Sequence, residues 1–314
     1  MPQSYKIIVN LTLQFLTFYY FCVMKQLVKK IGDYMGLVKF AHTIFAMPFA
    51  LMAFVFALKS TNGEFSWLLL LQIVGCMVFA RNVAMGFNRW ADRKFDAENP
   101  RTADREIPAG VISPRNAMIF IIINALLFIA TASTINLLTA LLSPVALAVV
   151  MFYSYCKRFT SLAHLVLGLS LAIAPAGAYI AVTGTLTFAP CILSLLVLTW
   201  CGGFDIIYAL QDAEFDRKRG LHSIPSRFSV ATSLYISIAL HCISVMALFG
   251  FASFLPQSWL LWCGIVLFSA ILVAEHILVT PKRQRSIGIA FGTLNGLASL
   301  TLAVFVIADI LIFG

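Results

Sequence analysis

Charged residues are scarce in this sequence. Only 11% of its 314 residues are Asp, Glu, Lys or Arg, whereas 61% are hydrophobic. In soluble domains about a quarter of the residues are charged. This shortage of charge excludes a soluble globular protein and indicates a chain that crosses a membrane several times.

The sequence also lacks paired cysteines and long polar stretches. Its seven cysteines occur singly in or beside apolar runs, with no Cys-x-x-Cys pair and no spacing typical of a metal site. The longest polar stretches, residues 92–114 and 212–228, are too short to form a core of their own. These absences argue against a cysteine metal site and against a separate soluble domain.

Apolar runs fill most of the chain. A helix needs roughly 20 apolar residues to cross a bilayer core of about 30 Å. Nine runs approach or exceed this length: 37–58, 66–91, 115–133, 136–155, 161–182, 187–211, 229–252, 257–280 and 287–312. We therefore predict an all-α, polytopic membrane bundle with about nine transmembrane helices.

Basic residues are distributed unevenly between the connections. The connections after the second, fourth, sixth and eighth runs carry most of the Arg and Lys residues, whereas the opposite connections carry only Lys59. Under the positive-inside rule the basic connections face the cytoplasm. The net charge of +9 then reflects topology, and we predict no nucleic-acid partner. The predicted location is the cell inner membrane, which the chain crosses in multiple passes.

The N-terminal 36 residues differ from the rest. Residues 11–23 form an apolar run that is short for a span and resembles the hydrophobic part of a signal peptide, but no small-residue cleavage site follows. Met24 begins a Lys-rich stretch and is an alternative start of the chain. We therefore divide the sequence into an N-terminal extension with a cytoplasmic lead-in, residues 1–36, and one transmembrane domain, residues 37–314.

The few acidic residues are concentrated in two windows. Nine of the thirteen Asp and Glu residues lie within residues 92–106 or 205–216. In the first window, Asn88, Asp92 and Asp96 are spaced by four residues and share one face of the second span. They form a ladder of oxygen-bearing side chains at its cytoplasmic end.

A second ladder lies four spans further along the chain. Asp205, Tyr208, Asp212 and Asp216 share one face of the sixth span and of the loop that follows it. We expect the two ladders to face each other across a central cavity open to the cytoplasmic side. Facing carboxylate and amide oxygens suit Mg²⁺, which a few carboxylates hold together with phosphate oxygens. Nearby Arg and Lys residues would bind the remaining charge of a diphosphate.

Two other interpretations apply to acids at the membrane. A single Asp-x-x-x-Asp is more often a charge network that anchors the end of a helix, but a pair of such motifs on one side is not explained in this way. A carboxylate-lined transporter also places acids within a membrane, typically near helices broken by Gly or Pro at mid-span. Among the clustered acids only Asp205 lies clearly inside an apolar run.

Several segments, in order, resemble the UbiA superfamily of membrane prenyltransferases. The family motifs N-x-x-x-D-x-x-x-D and D-x-x-x-D match residues 88–96 and 212–216. The resemblance extends beyond residue 30 or so, and includes residues 40–49, 99–102, 153–160 and 220–225. It implies a helical bundle around a central cavity, with Mg²⁺ ions holding an isoprenyl diphosphate beside an aromatic acceptor.

The resemblance also implies roles for the acidic ladders. The predicted metal ligands are Asn88, Asp92, Asp96, Asp212 and Asp216. Their Mg²⁺ would neutralise charge on the leaving diphosphate. The same four aspartates, with Asp205, form the predicted catalytic set; Asp205 would orient a ligand or accept the proton released by the ring.

The predicted substrate contacts are mostly basic residues: Arg81, Asn88, Arg93, Lys94, Tyr153, Lys157 and Arg158. The pairs at 93–94 and 157–158 would bind diphosphate. Tyr153 would stabilise the allylic cation through its ring face or contact diphosphate through its hydroxyl. Arg81 lies about two turns deeper than Asn88 on the same face, and would meet diphosphate or an acceptor carboxylate.

The predicted activity is Mg²⁺-dependent transfer of a polyprenyl group from polyprenyl diphosphate to an aromatic acceptor. The whole-chain pattern is most similar to the branch that prenylates 4-hydroxybenzoate in the synthesis of ubiquinone or menaquinone. Residues 87–102 also resemble relatives that prenylate a naphthoate for menaquinone, although Asn88-Arg89 departs from their frequent Asn-Asp. Naphthoate prenylation is thus one alternative, and a transporter is the other. The expected partners are polyprenyl diphosphate, a small aromatic acid and membrane lipid, with no obligate protein partner.

Overall fold

The structure, a computed structural model, describes residue 21 and residues 23–38 and 45–314. Most of the short N-terminal apolar run and residues 40–44 of the first matching segment lie outside this part of the chain. The alternative start at Met24 therefore stays a prediction.

Helices account for nearly all regular structure in the part of the chain that the structure describes. The first, α1, covers residues 23–38. The others are α2 (Met47–Ser60), α3 (Trp67–Glu98), α4 (Pro114–Ser133), α5 (Leu137–Cys156), α6 (Ala163–Thr183), α7 (Phe188–Ala209), α8 (Ala213–Lys218), α9 (Ile224–Arg227), α10 (Val230–Ala252), α11 (Trp259–Leu278), α12 (Ile287–Ile289) and α13 (Asn295–Phe313).

Among the described residues, eight helical segments are long and apolar enough to cross a membrane, and α2 is a shorter apolar helix. The nine segments correspond to the nine predicted runs, which confirms the all-α polytopic fold. Two of the eight are composite. A 3₁₀ turn, Leu210–Asp212, joins α7 to α8, and a π-helical turn, Ala290–Leu294, joins α12 to α13.

Polar side chains define where the long helices begin. The Ser66 hydroxyl accepts a hydrogen bond from Leu69 N–H at the start of α3. Ser113 caps α4 in the same way, and Pro114 occupies its first turn, where a missing N–H costs nothing. Asn136 caps α5 by accepting from Thr139 N–H. These caps fix the residues at which α3, α4 and α5 begin, and hence the depth of the side chains near the site.

The helix α7 lies in the middle of the bundle and packs against α6 and α10. It approaches α6 most closely at Gly168, where an added Cβ would overlap with the main-chain carbonyl of Leu198. Further along α7, the buried Trp200 packs against Phe49 and Phe204. Tight packing on its other faces leaves one side of α7 to line a cavity.

Candidate active site

The first ladder faces a cavity at the C-terminal end of α3. The cavity has a volume of about 190 Å³, and its lining includes Arg81, Met85, Asn88, Asp92 and Asp96. These residues recur every three or four positions, so a continuous α3 keeps them on one face. The predicted stripe on the second span is therefore confirmed.

The second ladder lines the same cavity. Asp205 and Tyr208 come from α7, and the 3₁₀ turn after it keeps Asp212 and Asp216 facing the same space. The two acidic windows, over a hundred residues apart in the sequence, thus meet across one cavity as predicted.

Each aspartate of the two matching motifs has a basic partner. Asp92 Oδ1 lies 3.4 Å from Arg158 Nη2, and Asp96 Oδ1 lies 2.6 Å from Arg105 Nη1. In the second motif, Asp212 pairs with Arg101, and Asp216 Oδ2 lies 3.9 Å from Lys157 Nζ. Lys157 and Arg158 were among the predicted substrate contacts; Arg101 and Arg105 were not.

Lys157, the C-terminal cap of α5, places its ammonium group near carboxylates of both ladders. Burial alone would lower its pKa, but the carboxylates of Asp216, Asp205, Asp212 and Asp92 outweigh burial and raise the pKa of Lys157 above its ordinary value. Its ammonium group therefore stays protonated at neutral pH and is available to an anionic substrate.

Residues 99–105 fold over the mouth of the cavity. Arg101 Nε donates to Asp212 Oδ1 at 2.8 Å, and its Nη1 donates to the Tyr208 hydroxyl at 3.0 Å. Asn99 Nδ2 donates to the same Asp212 oxygen at 3.1 Å. Burial would lower the pKa of Arg101, but the hydrogen bond and charge of Asp212 outweigh it and raise that pKa. This segment therefore connects the end of α3 directly to the second ladder.

Arg93 and Lys94, predicted to bind diphosphate, do not line the cavity. Arg93 Nη1 donates to Trp90 O at 2.6 Å, and its guanidinium lies 4.6 Å from the Trp90 ring centroid. Lys94 is exposed. Since each helical residue is rotated by about 100° from the last, positions 93 and 94 point away from the face of Asp92. Arg101 and Arg105 supply the cations on that side instead.

The oxygen atoms at this site fit a hard cation that also binds phosphate. Asp96 Oδ2 and Asp216 Oδ2 are buried and accept no hydrogen bond from the residues that the structure describes. Among the residues that the structure describes, no three His, Cys, Asp or Glu side chains converge tightly enough to hold a metal alone. Mg²⁺ is usually held by one or two carboxylates with water and substrate phosphates, so the paired aspartates suit this ion and its phosphate ligands.

Arg81 marks the deep end of the cavity, beside Tyr153 and Cys201. Its Nε atom is buried and has no hydrogen-bond acceptor among the described residues. Within residues 45–314 no carboxylate forms an ion pair with it. A half-buried cation with an unpartnered N–H is unfavourable, so Arg81 is suited to an anionic ligand.

A second, mostly apolar cavity begins where the first ends. Its volume is about 170 Å³, and small or apolar side chains of α3, α5 and α6 line it, including Ala84, Ala146 and Ala174. The two cavities share lining residues: Arg81, Met85, Tyr153, Leu167 and Leu171. A ligand with a charged head and a hydrocarbon tail would fit across the boundary.

Comparison with known proteins agrees with this geometry. Residues 46–305 match the UbiA prenyltransferase family. The chain is 31% identical over 250 residues to the 4-hydroxybenzoate octaprenyltransferase of Tolumonas auensis, covering 79% of this chain and 87% of that protein. It is 30% identical over 223 residues to the 4-hydroxybenzoate octaprenyltransferase of Salmonella paratyphi B, covering 71% and 73% of the two chains.

Solved structures show the same fold. A UbiA homolog from Aeropyrum pernix aligns with a TM-score of 0.73 at 26% identity, covering 86% of this chain and 97% of that one. A homolog from Archaeoglobus fulgidus, bound to GPP and Mg²⁺, aligns with a TM-score of 0.62 at 20% identity, covering 85% and 99%.

The fold and the cavity define a multi-pass membrane enzyme of the prenyltransferase class. The chain belongs to the UbiA prenyltransferase family. This assignment replaces the transporter alternative, because the residues that match a prenyltransferase family, 46–305, include both acidic ladders.

Proposed function

We propose that this enzyme transfers a polyprenyl group from polyprenyl diphosphate to 4-hydroxybenzoate in quinone biosynthesis, with Mg²⁺ as cofactor. One structural observation carries the proposal: a cavity lined by two acidic ladders and by basic residues opens onto an apolar cavity. The acceptor is inferred from relatives named 4-hydroxybenzoate octaprenyltransferase at 31% and 30% identity.

The charged cavity suits the diphosphate head of the donor. We place Mg²⁺ between the ladders, held by Asn88, Asp92 and Asp96 on one side and by Asp212 and Asp216 on the other. When bound, it would supply positive charge to the leaving diphosphate. The A. fulgidus homolog binds GPP or DMAPP together with Mg²⁺, which supports these two kinds of ligand for the present chain.

Basic side chains complete the binding of the head group. Lys157 and Arg158 already contact aspartates from both ladders, so they can transfer those contacts to phosphate oxygens. Arg101 is positioned to do the same on the side of Asp212. As the allylic C–O bond breaks, diphosphate leaves with the bonding electron pair, and these cations stabilise its growing charge.

The remaining side chains act on the prenyl group and on the aromatic acceptor. The Tyr153 ring lies at the boundary of the two cavities, where it can stabilise the allylic cation. Arg81 provides a partner for the acceptor carboxylate. A ring carbon of the acceptor then bonds to the prenyl carbon, and Asp205 accepts the proton that the ring releases.

The location follows from charge. We propose an inner-membrane enzyme whose charged cavity faces the cytoplasm, because the basic connections lie at that end of the bundle.

The direct test is an assay of membranes that contain the protein. Wild type, Asp92→Asn and Asp212→Asn are incubated with Mg²⁺, a labelled polyprenyl diphosphate, and either 4-hydroxybenzoate or dihydroxynaphthoate. We expect prenylated 4-hydroxybenzoate from wild type and a loss of at least about 100-fold in each variant. Glu214→Gln is the matched control, since Glu214 lies between the two motif aspartates but is exposed, and its one ion pair among the described residues is with Lys218. Product with the naphthoate alone would overturn the choice of acceptor.

A further inference from the structure

The buried His164 connects the acid Asp205 to the polypeptide segment that follows the second ladder. It lies in the first turn of α6 and has no exposed surface. Its Nδ1 atom is 2.7 Å from Asp205 Oδ2, and its Nε2 atom is 3.2 Å from the backbone nitrogen of Ile224. Both ring nitrogens therefore have a hydrogen-bond partner.

The partner at Ile224 determines which nitrogen carries the proton. A backbone N–H can only donate, so His164 Nε2 must accept and carries no hydrogen. In a neutral imidazole the proton then resides on Nδ1, which donates to Asp205. The fold thus selects one tautomer of His164.

Asp205 differs from the other aspartates of the ladders in the kind of partner it has. Asp92, Asp96, Asp212 and Asp216 each pair with Arg or Lys, whereas within the described part of the chain Asp205 pairs only with His164. A neutral N–H donor orients one carboxylate oxygen without adding positive charge. The carboxylate of Asp205 lines the cavity, where a bound substrate can reach it.

The same contact fixes the segment after the second ladder. Leu221 N–H donates to Asp216 O at 2.8 Å, and His222 N–H donates to Lys157 O at 2.6 Å. Ile224, two residues further, begins α9 after the capping residue Ser223. The segment 221–224 therefore touches the main chain of the metal-ligand candidate Asp216 and of the diphosphate-binding candidate Lys157, and it ends on His164.

We propose that His164 is a positioning residue that holds Asp205 as the proton acceptor of the prenyl transfer. This inference rests on the proposed function. When the new carbon–carbon bond forms, Asp205 Oδ1 takes the proton of the ring carbon, while Oδ2 remains bonded to His164 Nδ1–H. The proton passes from Asp205 to water after the product leaves, and His164 does not change its protonation.

Two substitutions separate the two hydrogen bonds of His164. In His164→Asn the side-chain amide lies near the position of Nδ1, so it can donate to Asp205 but does not reach Ile224. In His164→Gln the amide oxygen lies near the position of Nε2, so it can accept from Ile224 but provides no donor to Asp205. Each variant leaves one contact unmade, so their thermal stabilities should be similar.

We expect the two variants to differ in kcat. We expect His164→Asn to stay within about threefold of wild type, and His164→Gln to lose roughly 100-fold in kcat, in the range of a general base. The KM for polyprenyl diphosphate should stay near the wild-type value in both, because neither variant changes a residue at the diphosphate. Equal losses in both variants at equal stability would overturn the proposal, as would a wild-type kcat in the Gln variant.

A third variant removes the contact with Ile224 without changing His164. Ile224→Pro lacks the N–H that donates to Nε2, and proline is tolerated at the first position of a helix. Ser223, which would precede it, is already extended with φ −138° and ψ 163°. The Asp205 carboxylate still favours the proton on Nδ1, so kcat should stay within about threefold of wild type. A loss of roughly 100-fold in this variant would show that the contact with Ile224, and not the orientation of Asp205, supports activity, and would overturn the proposal.

Failure of the proposal is distinguishable from failure of the proposed function. Wild-type protein is assayed with Mg²⁺ and each acceptor in the same membranes. An active wild type with an active His164→Gln variant overturns the role of His164 alone. A folded wild type that is inactive with every acceptor overturns both.

Discussion

Lys157 Nζ lies 3.9 Å from Asp216 Oδ2, although the two residues belong to different helices and are 59 positions apart. The ammonium is also attracted by Asp92 of the first ladder and by Asp205 and Asp212 of the second. One cation thus holds two groups of carboxylates together and offers the same charge to a diphosphate.

Lys157→Gln should weaken binding of polyprenyl diphosphate. A hydrogen bond to a charged group contributes about 1.5–3 kcal/mol, which corresponds to roughly a 10- to 150-fold rise in KM. The measurement is KM for the diphosphate at saturating acceptor. Lys94→Gln is the matched control, because Lys94 is exposed and does not line the cavity. Equal effects of the two substitutions would show that only the general charge of this surface matters.

Arg81→Met should raise the KM for 4-hydroxybenzoate and leave the KM for the diphosphate nearly unchanged. Its half-buried side chain lacks a carboxylate partner within the described residues, and the acceptor carboxylate would provide one. We expect a loss of about 2 kcal/mol, or roughly 30-fold. Arg81→Lys keeps the charge and should show a smaller loss. If the diphosphate KM rises instead, Arg81 binds the donor.

Ala174→Phe should shift the enzyme toward short prenyl donors. Ala174 lines the apolar cavity, and a phenyl ring there would occupy much of its 170 Å³. With octaprenyl diphosphate we expect KM to rise at least about fivefold, because overpacked apolar space costs about 1–3 kcal/mol. With dimethylallyl diphosphate it should hardly change. Leu169→Phe on the same helix, at a side chain that is 44% exposed, serves as the control. Equal effects on both donors would place the prenyl tail elsewhere.

Gly168→Ala should lower thermal stability. The added methyl group would overlap with the Leu198 carbonyl, a main-chain atom that cannot rotate away, so α6 and α7 must separate. We expect a loss of about 1–3 kcal/mol. Gly177→Ala lies on the same helix with open space around the new atom and should be neutral or slightly stabilising. Thermal unfolding in detergent compares the two, and similar midpoints would mean that the helices adjust freely.

Periodicity and composition predicted the helices well, because lipid forces each span to satisfy its backbone internally. The same periodicity placed both acidic ladders on single faces, and the structure confirms those faces. The breaks in the spans were harder to see. Nothing in the apolar pattern marks the 3₁₀ turn at Leu210–Asp212 or the π-helical turn at Ala290–Leu294, since both keep the composition of a continuous helix.

Contacts between pairs of residues were harder to predict. Arg101 and Arg105 lie in the first acidic window, and that position was the only signal of their contact with Asp212 and Asp96. Arg93 and Lys94 adjoin Asp92 in the sequence, but the helical rotation carries them away from the cavity. His164 shows no acidic neighbour at helical spacing, because its partner Asp205 comes from another helix. Which helices pack together decides such pairs, and local sequence does not contain that information.

The boundary between the two cavities, at Arg81, Met85, Tyr153, Leu167 and Leu171, has a consequence for how the enzyme encounters its donor. A substrate that keeps its tail in an apolar space throughout turnover travels in two dimensions, within the bilayer. Its effective concentration is then its mole fraction in the bilayer lipid. Adding inert lipid to reconstituted vesicles at constant bulk amounts of enzyme and donor should therefore slow the reaction by surface dilution.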